Sequence, residues 1–115
     1  MSLKRALKAL KNLGLTETDA RVYVYLAKKG PHKDDELSFS LNISKPQLYL
    51  SLENLKVKNM ICAFPENSVK YSANSFEKVL NDFIKQTNQQ AKALQTRRAE
   101  LLSVWRSISE DSSNT

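Results

Sequence analysis

Residues 43–59 read ISKPQLYLSLENLKVKN, the pattern of a single helix with an apolar stripe and a polar, cationic outer surface. Ser44 marks its start, because a serine hydroxyl can accept a bond from an otherwise unpaired first-turn amide. Pro46 is tolerated in that turn, where no intrahelical N–H partner is lost. Leu48, Leu52 and Leu55 fall at i, i+4 and i+7, so they share one face and must lie against a core. The opposite surface carries Lys45, Gln47, Ser51 and Asn54, donors and acceptors that reach phosphate oxygens and base edges when a helix enters a major groove. Plain solvation of such a face is the other reading, and the flanking segments bear on the choice.

Upstream, Leu3, Leu7, Leu10 and Leu13 recur at helical spacing with Lys4, Lys8 and Lys11 outside them, and Gly14 ends that helix. Thr16 and Asp19 have the form of a capping box opening a second helix over 18–29, whose end is marked by Lys28, Lys29, Gly30 and Pro31. Val22, Tyr23, Leu26 and Ala27 are its inward candidates. Asp34 and Asp35 favour the positive end of a third helix, DDELSFSL, with Leu37 and Leu41 inward. Asn42 suits a left-handed turn, and with Ile43 and Ser44 it makes a connection of about three residues, the linker length of a helix-turn-helix.

Downstream the period changes from helical to alternating. MICAF reads as a strand, PENS as a turn and VKYSA as a second strand, so residues 60–73 form a hairpin, the wing of a winged helix. Pro65, Glu66, Asn67 and Ser68 are turn formers. With Glu66 at the tip and Lys70 the one nearby cation, the wing is expected to add little electrostatic attraction. Ser75 then caps a single helix from about 76 to 109 with no Gly or Pro in it, and residues 110–115 read as a frayed, disordered tail.

Two heptad stripes run along that helix, one from Phe76 through Leu80, Phe83, Thr87, Gln90, Leu94, Arg97, Leu101 and Val104 to Ile108. The adjacent one passes Ile84, Ala91, Arg98 and Trp105. A lone helix cannot cover so wide an apolar face. Homodimerisation through a coiled-coil-like helix follows, with Leu80, Phe83, Ile84, Leu94, Leu101, Val104, Trp105 and Ile108 as contact residues; folding back onto the first helix is the intramolecular alternative. The polar middle around Thr87, Gln90, Arg97 and Arg98 can set register.

The 115 residues suffice for one domain with a core plus one extended element. The expected fold is mainly α with a small β-hairpin: a winged helix-turn-helix over 1–74, followed by a long carboxy-terminal dimerisation helix over 75–109. Lys and Arg total 18 against 12 Asp and Glu, and residues 1–74 hold 12 of the basic and 7 of the acidic groups. That excess points to a polyanion or an acidic protein as the partner of the first two-thirds.

Cys62 is the only cysteine, which excludes an intramolecular disulfide and points to a reducing cytoplasm; in its apolar run it reads as a small core residue. The amino terminus lacks the unbroken apolar core of a signal peptide or membrane span, although its basic amphipathic helix leaves membrane-surface binding open. His32 is the only histidine and has no partner at metal-ligand spacing. Gly14 and Gly30, the only glycines, both serve helix ends and leave no phosphate-cradling loop. The clustered Asp34, Asp35 and Glu36 fit a helix amino terminus better than a metal site. No metal, no cofactor and no enzymatic activity are expected.

LGLTETDARVYVYLAKKG, DELSFSLNIS and QLYLSLENLKVKNMI together resemble the winged-helix domain of the TrmB-type transcriptional regulators found mainly in archaea. The similarity covers about residues 10–74. Its more specific pieces are LGLT with Asp19 three positions after the Thr, the pair Val22 and Tyr23, and the Tyr49, Leu52, Leu55 spacing. The resemblance implies a dimer binding specific duplex DNA, with Ser44, Lys45, Gln47, Tyr49 and Ser51 facing the major groove. Lys45 is then assigned to phosphate or guanine, Gln47 to a base edge, and Tyr49 to phosphate or a thymine methyl, while Tyr49 also fits a core-edge aromatic. Asn54 and Lys70 complete the expected DNA surface.

The chain departs from the family at three points. The sugar-sensing carboxy-terminal domain common in the family has no counterpart in these residues, so no sugar effector is expected. Pro46 and Leu50 stand where the family more often has polar groups, and the wing is weakly charged. A chromatin-type DNA binder is therefore an alternative, as is a protein adaptor using Leu50 with Asp34, Asp35 and Glu36. The basic side chains Lys4, Arg5, Lys8 and Lys11 favour DNA if they share the side of residues 43–59.

Overall fold

The computed structural model describes residues 3–65 and 68–113. In chain order the elements are α1 (Leu3–Asn12), α2 (Glu17–Lys29), β1 (His32–Lys33), α3 (Asp34–Leu41), α4 (Lys45–Val57), β2 (Ile61–Pro65), β3 (Val69–Ala73), α5 (Phe76–Thr96) and α6 (Arg98–Ser113). Contacts divide the chain into two compact units, Met1–Leu80 and Asn81–Thr115.

Three helices of the first unit end in the same way. Gly14, Asn42 and Asn59 take left-handed backbone conformations, with φ of 93°, 52° and 60°. The next amide then reaches back five residues, from Leu15 to Leu10 O (3.4 Å), from Ile43 to Ser38 O (3.1 Å) and from Met60 to Leu55 O (2.9 Å). Each residue after the turn, Leu15, Ile43 and Met60, is buried, so every helix stop is closed by an apolar contact as well as by its hydrogen bonds. Gly14 and Asn42 were expected in this role; Asn59 was not.

The capping box of α2 is formed, with Thr16 Oγ1 accepting from the Asp19 amide at 3.1 Å and Asp19 Oδ2 from the Thr16 amide at 3.2 Å. Ser44 Oγ caps α4 by accepting from the Gln47 amide at 3.4 Å, with Pro46 in the first turn. Across the turn between α3 and α4, Ser38 Oγ donates to Ile43 O at 2.6 Å, and Arg21 of α2 donates to Leu41 O at 2.8 Å. These bonds fix the angle at which α4 leaves α3.

Leu26, Leu37, Leu48, Leu55 and Val22 are the largest fully buried side chains, joined by Leu10, Tyr23, Leu52, Ile61 and Val79. Each fully buried leucine contributes about 1.5–3 kcal/mol by leaving water, and the stripe of α4 is the middle of this core. Leu10 alone of α1 is fully buried; Leu7 and Leu13 pack at its edge, while Leu3 is exposed. Ala27, expected to face inward, is exposed.

The hairpin is part of a three-stranded antiparallel sheet in the order β1-β3-β2. Strand β1 was not anticipated, because two residues between Pro31 and a helix carry no alternation to read. His32 faces Tyr71 and Lys33 faces Lys70 across it, and Tyr25 of α2 meets the His32 ring edge-on at 5.1 Å. Cys62 corrects the expectation of a core residue: it is exposed, with Sγ donating to Asn74 Oδ1 at 3.0 Å. Its neighbour Ile61 is buried, and successive residues of a strand point to opposite faces. The expected turn tip, Glu66 and Asn67, lies outside the described residues.

Ser75 Oγ accepts from the Lys78 amide at 3.2 Å at the head of α5. The expected single helix over 76–109 is interrupted at Arg97, yet the hydrogen-bond ladder continues through it, from Arg97 N to Ala93 O (3.1 Å) and from Leu101 N to Arg97 O (2.9 Å). Thr96 Oγ1 donates to Lys92 O at 3.0 Å, a back-bond to the preceding turn that competes with the ladder and loosens a helix there. Helix α6 runs to Ser113, so 110–113, expected as a frayed tail, are helical; Asn114 and Thr115 lie outside the described residues. Among the described residues no helix is long and apolar enough to cross a membrane.

Candidate nucleic-acid interface

The expected site residues divide into three groups once α4 is seated on its platform. Ser44, Lys45, Gln47 and Tyr49 are exposed on the outer arc at the head of α4. Ser51 is not on that arc: it is 4% exposed. It completes the set Leu48, Ser51, Leu52 and Leu55 at i, i+3, i+4 and i+7, which is the full inward stripe of a helix. Asn54 is half-buried and donates to Asp19 Oδ2 at 2.5 Å. It thereby ties α4 to the head of α2 and satisfies a carboxylate that is only 3% exposed. Buried polar groups need such partners; Asn54 has its partner on α2 and Ser51 lies in the inward stripe, so the structure places neither on the exposed arc.

Two of the outer-arc residues have side-chain partners on α3. Lys45 forms an ion pair with Asp35, and Tyr49 Oη donates to Asp34 Oδ2 at 2.5 Å. The Tyr49 hydrogen bond holds the Asp34 carboxyl below its ordinary pKa. The hydrogen bond to Asp35, aided by its charge, raises Lys45, and the bond to Asp34 raises the Tyr49 phenol. Glu36 Oε1 accepts from the Lys33 amide at 2.8 Å and caps α3. Of the acidic residues at this helix head, two thus hold side chains of α4 and the third holds backbone.

Leu50 is 73% exposed. With Gln47, Ser51 and Asn54 it borders a groove of about 400 Å³ against Thr16, Thr18 and Asp19. Gln47, Leu50 and the head of α2 therefore form one continuous surface.

Lys70 is exposed on β3 and lies directly across the ladder from Lys33. Cross-strand partners share a face, and like charges there repel unless an anion joins them. Lys33 is the functional candidate that reading the sequence missed, because without β1 nothing placed it beside Lys70.

Of the expected dimer contacts, Leu80, Ile84, Leu94, Leu101, Val104, Trp105 and Ile108 are exposed in the isolated chain, with Trp105 at 65%, and Phe83 is partly covered.

Comparison with known proteins bears on the family and the fold. No curated protein sequence matches the chain. Among solved structures, TrmBL2, described as an archaeal chromatin protein with a novel mode of DNA binding, superposes with a TM-score of 0.72 at 27% identity over 90% of this chain. The chain spans 42% of the length of TrmBL2. Protein ST1889 of Sulfolobus tokodaii has a TM-score of 0.65 at 23% identity, covering 81% of this chain and 98% of its own. A possible transcriptional regulator of Methanosarcina mazei has a TM-score of 0.62 at 20% identity, covering 87% of this chain and 88% of its own. At these lower identities the likeness is one of fold. The family model described as sugar-specific transcriptional regulator TrmB matches residues 10–77, more than half of the chain, and the protein accordingly belongs to the TrmB family of transcriptional regulators, with that family's winged-helix DNA-binding fold.

Proposed function

We propose that this regulator binds specific duplex DNA sequences as a homodimer, with the head of α4 in the major groove. The observation that carries the reading is the exposed arc of Ser44, Lys45, Gln47 and Tyr49 on a helix whose opposite face is wholly committed to the core. Gln47 is the base-reading residue, because a carboxamide can both donate to and accept from an adenine edge. Lys45 and Tyr49 contact phosphate or adjacent bases, and Lys33 with Lys70 holds the backbone beside the groove. Ser51 and Asn54 are left out of the contact set. Residues 75–109 form the dimerisation segment, through Leu80, Phe83, Ile84, Leu94, Leu101, Val104, Trp105 and Ile108.

The DNA-binding description of TrmBL2 supports the choice of partner, and its description as a chromatin protein supports a second reading, binding with little sequence preference. Titration of random-sequence duplex DNA at several salt concentrations, followed by fluorescence anisotropy, tests both. Binding that weakens steeply as salt rises is expected from released counterions. Selection from a randomised duplex pool then separates the two: one enriched motif is expected for a specific regulator, and none for a chromatin-type binder. A randomised pool from which no member is retained even at low salt would overturn DNA as the partner and leave the adaptor role built on Leu50.

A further inference from the structure

The formal charge of residues 1–74 and the charge at the head of α4 do not agree. The 12 basic groups against 7 acidic ones in that segment should make any polyanion-facing surface strongly positive. At the helix head, however, Lys33, Lys45 and Lys70 are accompanied by Asp34, Asp35 and Glu36, one carboxylate for every cation. Much of the remaining excess lies elsewhere, on α1 at Lys4, Lys8 and Lys11, on α2 at Lys28 and Lys29, and towards the far end of α4 at Lys56 and Lys58.

The carboxylates are also aimed. Asp35 holds the Lys45 ammonium and Asp34 accepts the Tyr49 phenol at 2.5 Å, which are two of the four groups offered to DNA. Asp34 Oδ1 further accepts from the Asp35 amide at 2.7 Å, which orients it. A phosphate approaching Lys45 must displace Asp35 and remain close to it; a generic duplex therefore meets a nearly neutral surface.

We propose that Asp34 and Asp35 are specificity-determining residues, an acidic lock that withholds Lys45 and Tyr49 from generic phosphates and yields them only where base contacts compensate. The proposal rests on the DNA-binding reading. It differs from attraction by a basic patch, since here affinity for random DNA is deliberately low and discrimination comes from the difference between sites. An exposed ion pair is weak enough to open on contact, so the lock opposes non-specific binding without preventing specific binding.

Asp35→Asn and Asp34→Asn keep shape while removing charge; the carboxamide at position 34 retains one carbonyl oxygen for either the Tyr49 hydroxyl or the Asp35 amide, which Asp34 engages with two separate oxygens. With the doubly substituted protein, affinity for random duplex at low salt should rise about tenfold, and the slope of log K against log salt should steepen by roughly 0.9 as Lys45 becomes available to one more phosphate. The spread of affinities across a panel of unrelated duplexes should narrow. Adding Lys45→Ala to Asp35→Asn should abolish that single variant's gain, while circular dichroism and the melting temperature report that every variant is folded.

If the wild type binds with a salt-dependent affinity and the Asn variants match it, the lock is overturned and DNA binding stands. A gain that persists in the Lys45→Ala background would also overturn it, by assigning the effect to overall charge. Were neither the wild type nor any folded variant to bind, the DNA reading and the lock would fall together. Binding by the Asn variants where the wild type shows none would support the lock in its strongest form.

Discussion

Asn54 and Gln47 carry the same carboxamide on the same helix, and their surroundings divide them. Asn54 is spent on Asp19, inside the packing of α4 against α2. Gln47 stands on the exposed arc, its backbone amide alone engaged by Ser44. Asn54→Ala should therefore lower the urea unfolding midpoint, with a loss of about 1–3 kcal/mol for the buried carboxylate left short of a donor, and should leave DNA affinity unchanged well below that midpoint. Gln47→Ala should leave the midpoint unchanged and cost about 1–3 kcal/mol of discrimination at one base pair of the operator. Sequence spacing separated the two residues poorly because Ser51 and Asn54 are small polar groups, which look outward on any hydrophobicity pattern. Ser51 lies within the leucine stripe, and what holds Asn54 inward is a buried acid on another helix. That acid, Asp19, was legible as a cap for Thr16, but its second partner lies 35 residues away, and a local pattern does not report such pairs.

At the scale of elements, legibility followed the length of the signal. α3 starts and stops where its charges and Asn42 place it, and α2 and α4 have their expected caps. Each of those signals is local, set by an unpaired amide or a positive φ that few side chains satisfy. Strand β1 had no such signal, and with it was missed the pairing of Lys33 with Lys70. The proposed dimerisation segment supplies the element-scale prediction. Leu101→Ser with Trp105→Ser removes two side chains that are 40% and 65% exposed in the isolated chain. If they are the contact, sedimentation equilibrium should show a monomer while the melting of the winged-helix unit is unchanged. An undiminished dimer would exclude these two side chains as the contact, and one that survives truncation after Asn74 would place it in the first unit instead.

For the whole molecule, titration offers a test of the packing that needs no DNA. Tyr23 donates its phenol to Asn74 O at 2.7 Å, and burial raises its pKa; burial does the same to Tyr71, and the bond to Asp34 does so to Tyr49. In the unfolded chain these phenols ionise near about pH 10. Folded values lie higher, so stability is intact below about pH 10 and is lost as pH rises through the folded pKa values. Asp34 has the opposite sign: its folded pKa is depressed, so its contribution is intact above the ordinary carboxylate range and is lost as pH falls through the folded value. Urea midpoints should show a plateau around neutrality with a decline at each end, and Tyr23→Phe should lower the plateau while making the alkaline decline shallower.

The exposed thiol on β2 has a practical consequence of another kind. Because Cys62 is the sole cysteine of the sequence and its residue is exposed, a nitroxide or dye coupled through a thioether attaches at one known position without any cysteine having to be engineered out. In a symmetric pair of chains there are then two such probes, one beside each hairpin. A single electron–electron dipolar measurement between them would give the separation of the two winged heads, and with it the number of base pairs that must lie between the half-sites.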